Sequence, residues 1–353
     1  MKKVILIFLF SCLFLQAKTQ ESRLTLLFAG DAMQHLPQVQ GAMNEDGSFS
    51  YDSCFHWVKE RIGTADLAGL NFETTLGGSP YTGYPLFSSP DAFARSLKEV
   101  GFNLFFQANN HALDRGRKGL ERTIDVLDSL GIKHTGTFKT ATTRSLYYPL
   151  IIIKNGFRIA FLNYTLHTNG LQLEEPNKVN LTDANLILQD LQHARLYKQD
   201  LIIAQMHWGE EYQTTPSRNQ HKLADLLLRE GVRIIIGHHP HVVQPVVIER
   251  DAEAIKHVVF YSLGNFISNQ QQKYTDGGML AEIVLSRKEP ASPVVIEKCG
   301  YEFVWVQKRW HNKKAQYRLV PSWDVHKPIM DEAEKQKMDI FVRQAEKIVL
   351  QDI

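Results

Sequence analysis

The sequence is poor in cysteine, with three in 353 residues, at positions 12, 54 and 299. So few thiols, so far apart, exclude a cysteine-bound structural zinc and a disulfide-dense scaffold. One bridge, between Cys54 and Cys299, remains open if the compartment is oxidising, since spacing does not fix connectivity. Charge of one sign is also missing: 40 Lys and Arg stand against 38 Asp and Glu. A nucleic-acid partner would call for a concentrated basic patch, and none is present. The densest basic stretch is Lys308, Arg309, Lys313 and Lys314, interleaved with Trp305 and Trp310. That alternation reads as a half-exposed strand pair. No G-x-S-x-G elbow and no G-x-x-x-x-G-K-[ST] loop occurs, which argues against an α/β-hydrolase and an ordinary nucleotide-driven ligase. There is no internal repeat, no low-complexity linker and no second long apolar run.

The one apolar run is at the start, MKKVILIFLFSCLFLQA. Two lysines, about a dozen apolar residues and then a polar segment form the layout of a secretory signal peptide. The run is short for a membrane-spanning helix, which needs about 20 residues. Residues 1–20 are therefore expected to be a signal, and the mature protein to be exported to the periplasm, cell surface or medium. Cys12 after Leu9-Phe10-Ser11 offers a lipoprotein anchor, the less favoured alternative to a cysteine that merely lies in the signal.

What remains is ordinary globular composition, 44% hydrophobic and 22% charged, enough for a large core. Short Val/Ile/Leu-rich strands alternate with helical spacings, which implies a layered α/β fold. Strands are expected at Arg23–Gly30, Asp66–Phe72, Asn103–Ala108, Leu201–Met206, Val232–Ile236 and His257–Ser262. A hairpin is expected at Leu150–Ile153 and Arg158–Tyr164 around Asn155-Gly156. Helices are expected at Tyr51–Thr64, Asp91–Val100, Gly119–Leu130, Thr182–Tyr197 (Asp183 as cap), Gln220–Arg229 and Met330–Val349. Leu280–Leu285 and Val294–Val306 read as later antiparallel strands. The proline- and glycine-rich segment Leu76–Pro90 reads as a long functional loop over the crevice, carrying Tyr81, Tyr84 and Phe87.

Five of these strands end in polar groups: Asp31; Asn71 and Glu73; Asn110 and His111; His207; His239 and His241. Each alone has an ordinary reading as a cap, a turn residue or a core histidine. Together they are expected to surround one crevice outside the carboxyl ends of a sheet, where α/β proteins carry chemistry. Pro240 stiffens the turn between His239 and His241. A donor set of carboxylate, amide and imidazole without thiolate suits zinc, manganese or iron. It offers more ligands than one tetrahedral ion uses, and two ions about 4 Å apart would use them.

The stretches GDAMQH (Gly30–His35), NFETTL (Asn71–Leu76), ANNHALDRGRKGL (Ala108–Leu120), HWGEEY (His207–Tyr212), GHHPHVVQP (Gly237–Pro245) and SLGNF (Ser262–Phe266) resemble the CapA/PgsA family of bacterial poly-γ-glutamate capsule proteins. That family is similar in fold to calcineurin-like metallophosphoesterases. The resemblance covers roughly residues 24–270. It implies an α/β/β/α sandwich, with residues 21–290 as the family domain and 291–353 as C-terminal strands and a helix packed on it. It implies one or two divalent ions (Mn, Zn or Fe) held by Asp31, Glu73, Asn110, His207, His239 and His241. His111 would be the catalytic histidine acting with a metal-bound hydroxide. Asp114 would either orient His111 or cap the following helix. His35, Asn71, Arg115 and Asn265 are the candidate substrate-binding residues, with Arg117 beside Arg115. The family pattern leaves position 238 variable. One departure concerns the first strand tip, where phosphoesterases carry D-x-H and this chain carries Asp31-Ala32-Met33.

Two functions are expected from this set. One is a metal-dependent hydrolase of phosphoester or amide bonds at the cell surface, working on an anionic polymer or a small phosphoester or γ-glutamyl substrate. The other is a non-catalytic module that grips such a polymer alongside a membrane-associated capsule synthesis machinery.

Overall fold

The computed structural model describes residues 21–252, 254–323 and 330–351. The expected signal peptide and Cys12 lie outside the described residues. Strand order explains how distant tips meet. One 14-stranded sheet folds into two facing halves. The first half runs Lys133–Thr135, Leu104–Phe106, Leu67–Phe72, Ser22–Ala32, Gly277–Arg287, Val295–His311. The second runs Ala254–Phe260, Ile234–His238, Leu201–His207, Phe157–Thr165, Leu150–Lys154. A single registered pair, Ile255 with Ile296, joins Ala254–Phe260 to Val295–His311.

The inner faces of both halves share one core. Leu24, Leu26 and Phe28 point into it from the first half; Ile159, Phe161, Ile203 and Ile236 do so from the second. The intervening residues point outward under helices. Leu27, Ala29, Leu70 and Phe105 meet Phe55, Ile62, Phe93 and Leu97. Leu162, Ala204 and Ile235 meet Ile187, Leu191 and Leu227. Strands buried on both faces read as continuous apolar runs, as parallel sheets demand. The result is the expected α/β/β/α layering. Phe93, fully buried between Tyr51, Phe55 and Phe72, shows what holds an outer layer. Burying such a side chain stabilises by about 1.5–3 kcal/mol.

Most expected elements form, with shifts that have physical causes. The Asn155-Gly156 hairpin turn has both residues at positive φ, 49° and 82°, as a two-residue turn requires. Asp183 caps Ala184–Leu196 by accepting from the Leu186 amide at 2.8 Å. The expected single helix Tyr51–Thr64 is three short pieces, Asp52–Phe55, His56–Val58 and Lys59–Gly63. The helix expected at Gly119–Leu130 starts earlier and spans Gly116–Ser129. Short helices at Leu36–Ala42 and Ala141–Tyr147 carry too little periodicity to be read. The basic and aromatic stretch is a strand pair, Val295–His311 with Lys314–Pro321, turning at Asn312-Lys313. The terminal helix Glu332–Val349 buries Met338, Phe341, Ala345, Ile348 and Val349 in the shared inner core. Cys54 and Cys299 are both free thiols. They pack into clusters on opposite faces of the first half-sheet, so the possible bridge does not form. Among the described residues no helix is long and apolar enough to cross a membrane.

Candidate metal centre

The segment Ser262–Phe266 threads the seam between the two half-sheets and fixes their relative height. The Asp31 amide donates to the Gly264 carbonyl at 2.9 Å, and the Leu263 amide to the Gly237 carbonyl at 3.0 Å. These approaches need glycine. A Cβ at Gly30 would meet the Gly264 oxygen at 1.9 Å, and one at Gly237 would meet the Tyr261 oxygen at 1.9 Å. Each glycine immediately precedes a polar residue of the crevice. Close packing without a side chain is thus what sets Asp31 and His238 side by side.

From the first half come Asp31, Asn71, Glu73, Asn109, Asn110 and His111; from the second come His207, His238, His239 and His241. All are buried. Asp31 Oδ2 lies 3.0 Å from His241 Nδ1, and His241 Nε2 lies 3.7 Å from Glu73 Oε1. His207 Nε2 is also 3.7 Å from Glu73 Oε1 and bonds Asn110 Oδ1 at 3.0 Å. Glu73, His239 and His241 offer ligand atoms all within 4.8 Å of one another, and so do Asp31, Glu73 and His207. Glu73 belongs to both groups, the position of a bridging carboxylate. His239 and His241 take positive φ, 95° and 59°. Non-glycine residues adopt that region rarely and at a cost. Tyr212, also at positive φ (65°), donates its amide to the Pro240 carbonyl and steadies the turn.

Burial decides the electrostatics. It lowers His239 to about 3, and His207 falls well below its usual value from burial and then the neighbouring His239. Neutral imidazoles with a free lone pair are what a metal ligand requires. Burial works against charge on Asp31, but the neighbouring His238 and His241 imidazoles hold its carboxyl well below the usual range. Burial and then the Asp31 charge push Glu73 well above it. Two carboxylates sharing one dry pocket cannot both be charged cheaply without a cation.

Donor chemistry and unmet valence fit a divalent ion. Glu73 Oε1, His238 Nδ1 and His239 Nδ1 are buried without hydrogen-bond partners. Such groups are rare and call for an explanation. Asn71 sits among them, its Nδ2 2.7 Å from Asp31 Oδ1, 3.0 Å from Glu73 Oε2 and 3.2 Å from His207 Nδ1.

Beside this cluster, His111 Nδ1 meets Asp114 Oδ2 at 2.7 Å. The same Asp114 oxygen accepts from the Phe87 amide at 2.7 Å. The helix that follows has Arg115 at its cap position with no side-chain cap bond, so of the two readings of Asp114 the structure shows the contact with His111. Burial raises the Asp114 carboxyl, opposed by the bond to His111. The loop 76–90 does close over this corner: Phe87 is fully buried, edge-on to His111 at 4.6 Å and to His35 at 5.1 Å. Tyr84 on the same loop is 75% exposed at the rim, edge-on to Phe87 at 6.5 Å.

Other expected site residues lie apart from the cluster. His35 starts the helix Leu36–Ala42, with Nδ1 near Gln38 Oε1 and the Asn269 amide, both at 3.3 Å. Asn265 donates its amide to Gln270 Oε1 and the Thr275 carbonyl at 2.8 Å each, bracing the loop after the seam. Arg115 lays its stem against Gly77, while Arg117 pairs with Glu121 at 2.9 Å on the helix surface. Four residues not read as site members from sequence also belong here: His238, Gln205, Asn109 and Glu211. His238 Nδ1 is 3.6 Å from Asp31 Oδ1, and its Nε2 meets Gln205 Oε1 at 2.9 Å. Asn109 donates to Asn71 Oδ1 at 3.3 Å and to the Phe72 carbonyl at 2.9 Å, locking two strand tips together. Glu211 approaches His241 Nε2 at 4.0 Å. Position 205, two before His207 on the same strand face, was the available signal for Gln205.

Residues 25–270 match the family model described as bacterial capsule synthesis protein PGA_cap. The capsule biosynthesis protein CapA of Bacillus anthracis is 28% identical over 278 residues, covering 74% of this chain and 64% of that protein. The PGA biosynthesis protein CapA of Bacillus subtilis is 28% identical over 277 residues, covering 75% and 68%. This chain thus spans about two thirds of the length of these relatives. Among solved structures, NAD nucleotidase (NadN) of Haemophilus influenzae superposes with a TM-score of 0.51 at 14% identity, covering 94% of this chain and 64% of that one. The calcineurin-like phosphoesterase YfkN of B. subtilis covers 94% and 100% at 13% identity, with a TM-score of 0.47. At such identities the likeness concerns fold alone. With seven tenths of its length matched, the chain belongs to the bacterial capsule synthesis protein PGA_cap family, and its fold is similar to that of NAD nucleotidase NadN.

Proposed function

We propose that this protein is a divalent-metal-dependent hydrolase of phosphoester or amide bonds, exported from the cell and acting on a capsule-type anionic polymer. The observation that carries the reading is Glu73: a buried carboxylate with one unpartnered oxygen, shared by two groups of mutually close donors. Asp31, Glu73 and His207, with Asn110 beside His207, would hold one ion; Glu73, His239 and His241 would hold a second. Bound there, divalent ions supply Lewis acidity and lower the pKa of a water. The chain's own residues do the rest. Asp114 accepts from His111 Nδ1 and fixes the tautomer, which leaves Nε2 to hold or deliver a proton at the leaving atom. Phe87 packs against the His111 ring and keeps bulk water from that face. Export rests on the composition of residues 1–20 and on the absence of any other apolar run of that kind.

The test is elemental analysis of the purified full chain, then turnover of a generic phosphodiester and of γ-glutamyl peptides with and without chelator. Bound Mn, Zn or Fe and chelator-sensitive turnover are expected. No uptake of any of these ions at neutral pH sinks the reading. The alternative, a non-catalytic polymer-binding module, is favoured by one observation. The Asn71 amide already bonds both Asp31 and Glu73, and buried Met33 stands where phosphoesterases place a histidine. That alternative requires polymer binding that survives chelation, with no turnover.

A further inference from the structure

A second concavity lies behind the wall of the metal centre. It is a cleft of about 630 Å³ between the terminal helix, the strand pair Val295–His311/Lys314–Pro321, and the loop that begins at Ser268. Trp310 (68% exposed) and Ile340 (59% exposed) leave apolar surface open along it. Three lysines, 273, 308 and 337, line it. None of the three has a carboxylate within 4.0 Å among the described residues. The cleft's two acids are already engaged. Asp276 Oδ2 accepts from the Trp305 indole at 2.9 Å, and Glu334 pairs with Arg309 Nε at 2.6 Å. The cleft is therefore cationic in effect.

Lys308 is the most informative of the three. It is half-buried, donates to Asn269 Oδ1 at 2.8 Å, and lies 5.5 Å and 5.8 Å from the Trp310 and Tyr317 ring centroids. An ammonium drawn out of water by amide and aromatic neighbours alone has its charge unneutralised. The wall it rests on is shared with the metal centre. The Asn269 amide lies 3.3 Å from His35 Nδ1, and Gln270 Nε2 donates to the Tyr212 hydroxyl at 3.4 Å. Tyr212 in turn lies beside His241.

We propose that this cleft is a subsite for an extended anionic chain, gripping the length of polymer beyond the bond that enters the His111 centre. Lysines with no carboxylate partner among the described residues neutralise the chain's carboxylates, the glutamine and asparagine side chains of the loop serve its backbone polar groups, and Trp310 covers its methylenes. The inference rests on the proposed function for the identity of the chain, but not for the existence of the binding surface. A neutral glycan would use the aromatic rings and amides and leave the three ammonium groups uncompensated, so the charge pattern favours the anion.

The experiment uses the full chain and a fluorescein-labelled poly-γ-glutamate oligomer, followed by anisotropy at low and high salt, with chelator present throughout. Neutral dextran is the comparison ligand. Binding that weakens with salt is expected, falling about tenfold in a Lys273→Gln/Lys308→Gln/Lys337→Gln variant and a few-fold in Trp310→Ala. The separate variant His111→Ala retains it. Melting temperatures check that each variant folds, and Trp310→Ala, on an exposed ring, keeps the test decisive if the triple variant does not. Equal binding of dextran, unchanged binding in both cleft variants, or binding lost on His111→Ala would each overturn the assignment. Turnover is scored separately: polymer binding without hydrolysis leaves the cleft standing and sinks only the enzymatic reading.

Discussion

The two half-sheets bring different chemistry to the same pocket. The first supplies oxygen donors on ordinary backbone: Asp31, Glu73 and Asn110 after parallel strands. The second supplies nitrogen donors, two of them on left-handed backbone at His239 and His241. Neither half holds a complete coordination shell. The donors meet only where Ser262–Phe266 sets the two halves at one height, so on the proposed function metal binding would report how the halves are joined. Binding should therefore stabilise the folded chain by mass action.

The largest effect is expected on chemistry without any change of architecture. His111→Gln should lower turnover by about 10²–10⁴-fold, the range of a positioned general acid, with bound metal and melting temperature unchanged. Activity assays beside elemental analysis decide it, and a parallel loss of metal would move His111 into the ligand set. Next comes the contribution of each half. Asp31→Asn and His239→Asn should each weaken metal affinity by at least about 100-fold, beyond the 10–100-fold typical of an outer-shell partner. Calorimetric titration with manganese measures both. If only one variant loses metal, the pocket belongs to one half and the comparison fails. The seam itself is tested by Gly30→Ala and Gly237→Ala. Each forces a methyl against a backbone carbonyl, so each should cost about 1–3 kcal/mol of stability in urea unfolding.

What the sequence made legible follows the same division. Strand tips were readable because a parallel strand buried on both faces is an unbroken apolar run, and Asp31, His207 and His239 stand out where each run stops. The long-range pairing of the halves through Ile255 and Ile296 left no such mark. Nor did the burial of the terminal helix in the inner core, because an amphipathic face names a buried side and not its partner. Within the site, His238 and Gln205 were hidden for a similar reason. His238 takes its role from facing Asp31 across the seam, which no local pattern encodes, and Gln205 takes its role from meeting His238 Nε2. His35 and Asn265 were drawn toward the site by proximity in sequence to its motifs, yet their side chains brace the Ser268–Asp276 region instead.

His35 also supplies the smallest effect and a control on the rest, because it is titratable, half-buried and outside the ligand set. Burial lowers it to about 4, against 6.5 in an unfolded chain. Between those values the unfolded state binds the extra proton, so stability is highest above pH 6.5 and falls as pH drops toward 4. The full shift corresponds to about 3 kcal/mol at 1.36 kcal/mol per unit, and partial solvent exposure reduces this to roughly 1–2 kcal/mol. Urea unfolding of the chelated protein at pH 7 and pH 4.5 should show this loss on top of the losses from other groups. In His35→Gln the drop between the two pH values should be smaller by that amount. An equal drop in both proteins would mean that the imidazole is solvated, and that Phe87 does not seal the corner between His35 and His111.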